Sequence, residues 1–192
     1  EAVGGNVTVG SFNVLNYFPT TGDTESGCRA YTDREGNPVG ANRCKPRGAY
    51  NQENFERQQT KIVAAINKLD ASVVALEEVE SSDKFGKERD WALSQLVKAL
   101  NAAAGEDRWA FVPSPQTIPE TGDDVIRTAF IYQSAEAKPV GDSAILDSPA
   151  FHNARAPLAQ KFQAVGVKNP EASEFMAVMN HFKSKGSGKG PG

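Results

Sequence analysis

Histidine is scarce in this chain: only two occur in 192 residues, His152 and His181. Cysteine is equally scarce, with Cys28 and Cys44 alone. The two shortages exclude a zinc centre built from a Cys/His set at ligand spacing. No Gly-rich phosphate loop and no nucleophile elbow is present, so neither P-loop chemistry nor serine-based acyl transfer has support. No apolar run approaches membrane-spanning length, which predicts a soluble chain with no membrane partner. Net charge is only −3, so nothing global marks a nucleic-acid binder. An acidic chain still binds phosphate where its basic groups cluster. The first residue is Glu1 rather than Met, which suggests a processed or trimmed chain whose targeting segment lies outside these residues.

What is present supports one packed domain over 1–192, with 39% hydrophobic and 23% charged residues. The stretch Ala71–Glu80 organises it. Val73, Val74, Ala75 and Leu76 form a short β-branched run that reads as a buried strand. Glu77, Glu78 and Glu80 follow directly. A rigid strand that delivers carboxylates at its C-terminal edge builds a cation site. Acids capping a solvated strand end give the same pattern.

Val7–Leu15 also reads as a strand, with Asn13 inside its apolar run and Asn16 just beyond. A buried Asn needs hydrogen-bond partners, whereas a turn-forming Asn is common at strand ends. Residues 17–50 lack periodicity and read as a long insertion. With two cysteines only one pairing exists. A Cys28–Cys44 disulfide pinning this loop would stabilise by about 3 kcal/mol and imply an oxidising compartment, unlike two unrelated surface thiols.

Helical spacing of Phe55, Gln59, Ile62, Ile66 and Leu69 predicts a helix over 51–69 with Asn51 as N-cap. Leu93, Leu96, Val97 and Leu100 predict a second over 90–104, ended by Gly105. From Trp109 onward the pattern is five strands separated by Pro- and Gly-bearing turns: 109–112, 127–132, 140–146, 158–167 and 174–181. Strands with helices, then strands alone, predict an α+β layered fold. His181 ends the last strand beside Lys183 and Lys185, a combination that suits an oxyanion such as phosphate, while a solvated tail is the commoner fate of such lysines. Arg127 and Arg155 stand at strand ends, where a guanidinium either binds phosphate or is simply exposed. His152 reads as a surface residue. Oxygen donors, one imidazole and basic groups fit phosphoester hydrolysis with a hard cation better than acyl transfer.

Four ordered segments carry a resemblance: SFNVLNYF, ERQQTKIVAAINKLDASVVALEEVE, DDVIRTAFIY and NHFKSKG. In that order they resemble secreted bacterial nucleases of the endonuclease/exonuclease/phosphatase superfamily, distantly similar to pancreatic-type deoxyribonuclease. The resemblance implies a four-layer α/β/β/α sandwich with mainly antiparallel sheets, of which this chain holds the first part. It implies a secreted, extracellular endonuclease that hydrolyses phosphodiester bonds of DNA or RNA with Mg²⁺ or Mn²⁺, and Ca²⁺ at a second site is reasonable. Glu78 and Asn13 would hold the metal, and His181 would act with them on the scissile phosphate. Arg155, Arg127, Asp124 and Lys183 would contact or support substrate. A phosphoesterase acting on a lipid or small ester, or a non-catalytic binding module, are the alternatives.

The family pattern continues past KSKG with an Asp-x-Asn strand, a further acid and an Asp-His pair. The general base is therefore expected from a remaining C-terminal segment, in this or another chain. Isolated residues 1–192 are expected to be inactive and poorly folded, with one sheet's inner face uncovered.

Overall fold

The computed structural model describes residues 5–120, 123–151 and 154–182, and these form two α-helices and nine strands. β1 (Val9–Tyr17), α1 (Gln52–Leu69) and β4 (Val73–Glu80) make a strand–helix–strand unit with β1 and β4 parallel. β6 (Ile126–Gln133) pairs antiparallel with β4, and β5 (Trp109–Phe111) antiparallel with β6, giving the order β1-β4-β6-β5. A second, wholly antiparallel sheet has the order β7 (Ala137–Ile145), β8 (Leu158–Ala164), β9 (Phe175–Met179).

Strand alternation explains how the layers meet. Val74 and Leu76 face one way, into a core with Ile62, Ile66 and Val63 of α1 and Leu93, Leu96 and Leu100 of α2 (Trp91–Ala104). Val73 and Ala75 face the other way, into a core with Phe130, Phe162, Leu158 and Met179. Helices, sheet and sheet are thus stacked as three layers among the described residues. This is the mixed α/β, mainly antiparallel architecture the sequence predicts.

The expectation of an uncovered inner face holds only in part. The inner faces of β4 and β6 are covered by the second sheet, with Phe162 within 5.6 Å of Phe130 between ring centroids. The inner face of β1 stays open, where Val9 beside Val73 is 57% exposed. The outer face of β9 also exposes apolar surface, because Phe175, Ala177 and Met179 point inward and Met176 and Val178 alternate outward.

The helix boundaries follow their predicted caps. The Asn51 side chain accepts from the Asn54 N–H at 3.0 Å, closing the first turn of α1. Gln59, placed on the apolar stripe by spacing, instead accepts the Tyr17 hydroxyl proton at 2.6 Å, and Leu69 at the last turn is exposed. α2 ends at Gly105 in the left-handed region.

Residues 17–50 are more ordered than an aperiodic loop. They carry an antiparallel hairpin of β2 (Arg29–Thr32) and β3 (Pro38–Asn42). Its turn is held by Asp33, which accepts from the Asn37 N–H at 2.8 Å. The Cys28–Cys44 disulfide ties the hairpin ends, with Cα atoms 4.9 Å apart. Gly48 lets the returning chain lie on β1, since a Cβ there would sit 2.7 Å from the Asn16 carbonyl oxygen. Replacing both cysteines by serine is expected to lower unfolding free energy by about 3 kcal/mol, read from denaturant midpoints, with no loss under already reducing conditions.

Candidate active site

Between Leu76 and Val79, β4 breaks its alternation. Both residues face the helical core, although they are three positions apart. The pairing with β6 shifts register at this point, and Glu78 sits at φ +65°. The bulge therefore turns the two intervening carboxylates, Glu77 and Glu78, away from the helical layer. β1 does the same opposite: its register against β4 shifts between Asn13 and Tyr17, with Leu15 at φ +54° and Asn16 at φ +55°. Three non-glycine residues in the left-handed region at one place are costly, and such strain collects at functional sites.

The two bulges open a cleft of about 570 Å³ lined by Asn13, Asn16, Arg47, Glu77, Glu78, Ile126, Arg155, Asn180, His181 and Phe182. Glu78 accepts the Asn16 N–H at 3.0 Å on one carboxylate oxygen, and the other lies 3.6 Å from His181 Nε2. Asn13 accepts the Leu15 N–H at 2.8 Å, which fixes its amide and leaves its oxygen a second lone pair. Glu77 is held by the Ser11 hydroxyl at 3.1 Å. His181 follows β9 rather than ending it, and its carbonyl accepts the Arg155 N–H at 3.5 Å. His181 Nδ1 is buried with no hydrogen-bond partner among the described residues.

The structure thus brings Asn13, Glu78, His181 and Arg155 to one place. Asp124 stands behind the cleft rather than in it. Its carboxylate accepts from Arg155 at 2.8 Å and from Arg47 at 3.1 Å, so it holds two guanidiniums at the rim. Arg127 is not brought there, which corrects its reading as a substrate contact. Its side chain is buried behind β6, donating to Asp90 at 2.6 Å and to the Ser114 hydroxyl at 3.0 Å. Burial pushes its pKa down to about 10, and Asp90 opposes the shift, so the guanidinium stays charged at neutral pH. Lys183 and His152 lie outside the described residues.

Glu80, the third acid of the trio, is fully buried and does not line the cleft. It accepts from the Thr20 N–H at 3.0 Å, the Thr20 hydroxyl at 3.1 Å and the Ser82 hydroxyl at 2.7 Å. Burial pushes its carboxyl above the ordinary value of 4.5. A carboxyl that holds its proton more tightly when folded contributes stability fully present below about 4.5 and lost as pH rises through the folded value. The thermal-midpoint advantage of wild type over Glu80→Gln is therefore expected to shrink as pH rises from 4.5. A pH-independent difference would contradict this.

Sequence reasoning missed Arg47, Asn180 and Phe182. Arg47 lies in an aperiodic segment with no local signal. Asn180 and Phe182 flank His181 and were legible only through that neighbour.

As oxygen donors the cleft offers one carboxylate beside a second, with the amides of Asn13, Asn16 and Asn180. No group of three or more His, Cys, Asp or Glu side chains able to hold a metal occurs among the described residues. Oxygen donors of this type are those a hard cation takes, with water completing its shell.

Two face-to-face sheets with helices on one side, bearing this cleft at a sheet end, define a mixed α/β chain with a candidate oxyanion site. No family model matches the chain, and no curated protein matches it. Among solved structures it is similar to the 2′,3′-cyclic phosphatase ANGEL2 in complex with adenosine-2′,3′-vanadate, at 16% identity over 91% of this chain and 41% of that one, TM-score 0.46. It is also similar to an endonuclease/exonuclease/phosphatase from Beutenbergia cavernae, at 15% identity over 94% of this chain and 39% of that one, TM-score 0.43. The chain spans about two fifths of the length of these structures.

Proposed function

We propose that this chain is the metal- and phosphate-binding part of an extracellular nuclease that hydrolyses nucleic-acid phosphodiesters. The observation that carries the reading is the shared cleft: Glu78, Asn13 and His181 converge there, with Arg47 and Arg155 at its rim. Glu78 and Asn13 would hold a Mg²⁺ or Mn²⁺ ion. When bound, such a cation polarises a phosphoryl oxygen and stabilises a leaving alkoxide. His181 Nε2, beside Glu78, is placed to donate to a phosphate oxygen and to steady charge that develops on it. Arg155 and Arg47, held by Asp124, bind the remaining phosphate oxygens through directed N–H groups.

Water attack needs a base, and the base in this reading comes from a further segment of the same domain. A disulfide in the hairpin supports an oxidising, extracellular location. The test is cleavage of a labelled oligonucleotide by this chain alone and by the chain extended with the segment that follows it, each with Mg²⁺ and with chelator. Chelator-sensitive cleavage by the extended chain only is expected. No cleavage by the extended chain would overturn the nuclease reading, and robust cleavage by residues 1–192 would overturn the need for the segment.

A further inference from the structure

A second groove, of about 650 Å³, runs from the cleft along the outer edge of β1, between α1 and the disulfide-tied hairpin. The two hollows share Asn13, Asn16 and Arg47. β1 is the edge strand of its sheet, and Gln58 of α1 covers its distorted end by donating to the Leu15 carbonyl at 2.7 Å. The groove is therefore a built feature: the helix, the edge strand and the insertion each supply one wall.

Its charge is one-sided. Arg47, Arg57 and Lys61 line it, and no Asp or Glu does among the described residues. That contrasts with a chain of 24 acidic and 21 basic residues. Arg57 and Lys61 stand one turn apart on α1, so both heads rise from the same face. Both are exposed; Arg57 donates to Asn54 Oδ1, and Lys61 has no partner among the described residues. Between the cations the surface is apolar, with Leu15 at 73% and Val39 at 38% exposure. Basic groups spaced along a groove suit a polyanion whose phosphates repeat along its length, whereas a small phosphate ester would leave most of the groove empty.

We infer that this groove is a strand-binding subsite: a polynucleotide whose scissile phosphate lies in the cleft continues along β1, with its next phosphates on Arg57 and Lys61. The inference rests on the nuclease reading and adds to it where the strand runs beyond the scissile phosphate: along β1, gripped by the insertion and α1.

The test is fluorescence anisotropy of a labelled single-stranded oligonucleotide of about a dozen nucleotides, in chelator, across a salt series. Arg57→Ala/Lys61→Ala is expected to weaken binding about tenfold at low salt. It should also flatten the slope of log affinity against log salt by about 1.4, since each single-strand phosphate contact contributes ~0.7. Lys68→Ala/Lys138→Ala, exposed lysines outside the groove, should leave both quantities unchanged. Thermal midpoints of both double variants should match wild type. Wild-type binding that survives unchanged in Arg57→Ala/Lys61→Ala overturns the subsite and leaves the cleft reading standing. An equal loss in the Lys68→Ala/Lys138→Ala control also overturns it, as diffuse charge. No oligonucleotide binding by wild type overturns subsite and nuclease reading together.

Discussion

Alanine at position 78 is expected to remove the thermal stabilisation that Mg²⁺ or Mn²⁺ gives this chain, while alanine at position 77 keeps most of it. A cation that binds only the folded state at ten times its Kd stabilises by about 1.4 kcal/mol, or about 3–6 °C for a domain of this size. Both acids line the cleft, so proximity alone does not separate them. Their partners do. Glu77 is held by the Ser11 hydroxyl, while Glu78 stands against His181 with its second oxygen fixed by the Asn16 N–H. The comparison to make is the cation-induced shift of each variant, because losing the Asn16 contact also lowers the metal-free midpoint. Equal shifts in wild type and Glu78→Ala would remove Glu78 from the site.

Asp90→Ala is expected to be the most destabilising single change outside the apolar cores. It strips the partner from Arg127, whose side chain is only 5% exposed, and leaves a buried guanidinium uncompensated. Such losses cost about 3–5 kcal/mol, roughly 6–20 °C here. It also removes the acceptor of the Ser114 N–H and hydroxyl, at 2.9 and 2.6 Å. Adding Arg127→Met should recover part of the loss, since the unpaired charge goes with it. The cation-induced shift should survive in both variants, because neither residue reaches the cleft. A double variant no more stable than Asp90→Ala, or loss of the cation effect in either, would return Arg127 to the site.

The fold was legible where one periodicity ruled. The stripe of Phe55, Ile62 and Ile66 and the run Val73–Leu76 each follow from spacing, and the caps at Asn51 and Gly105 follow from side-chain chemistry. The strand bearing the acids extends to Glu80 because bulged residues still pair, and no pattern of apolar residues announces a bulge. That bulge decides the site: alternation alone would place Glu78 on the helical side with Leu76 and Val74. Arg127 misled for a related reason. A charged residue opening an apolar strand looks exposed until Asp90, 37 positions away, is seen to pair with it. Arg47 had no signal because its position depends on the disulfide, Gly48 and Asp124 together.

The most direct measurement follows the imidazole signals of the two histidines by proton NMR during a Mn²⁺ titration, assigned with His152→Gln. A paramagnetic ion held by Glu78 and Asn13 should broaden the His181 signal at low Mn²⁺, and this early broadening should vanish in Glu78→Ala. A His181 signal that stays sharp, or one that broadens equally in Glu78→Ala, would contradict a cation site at these residues.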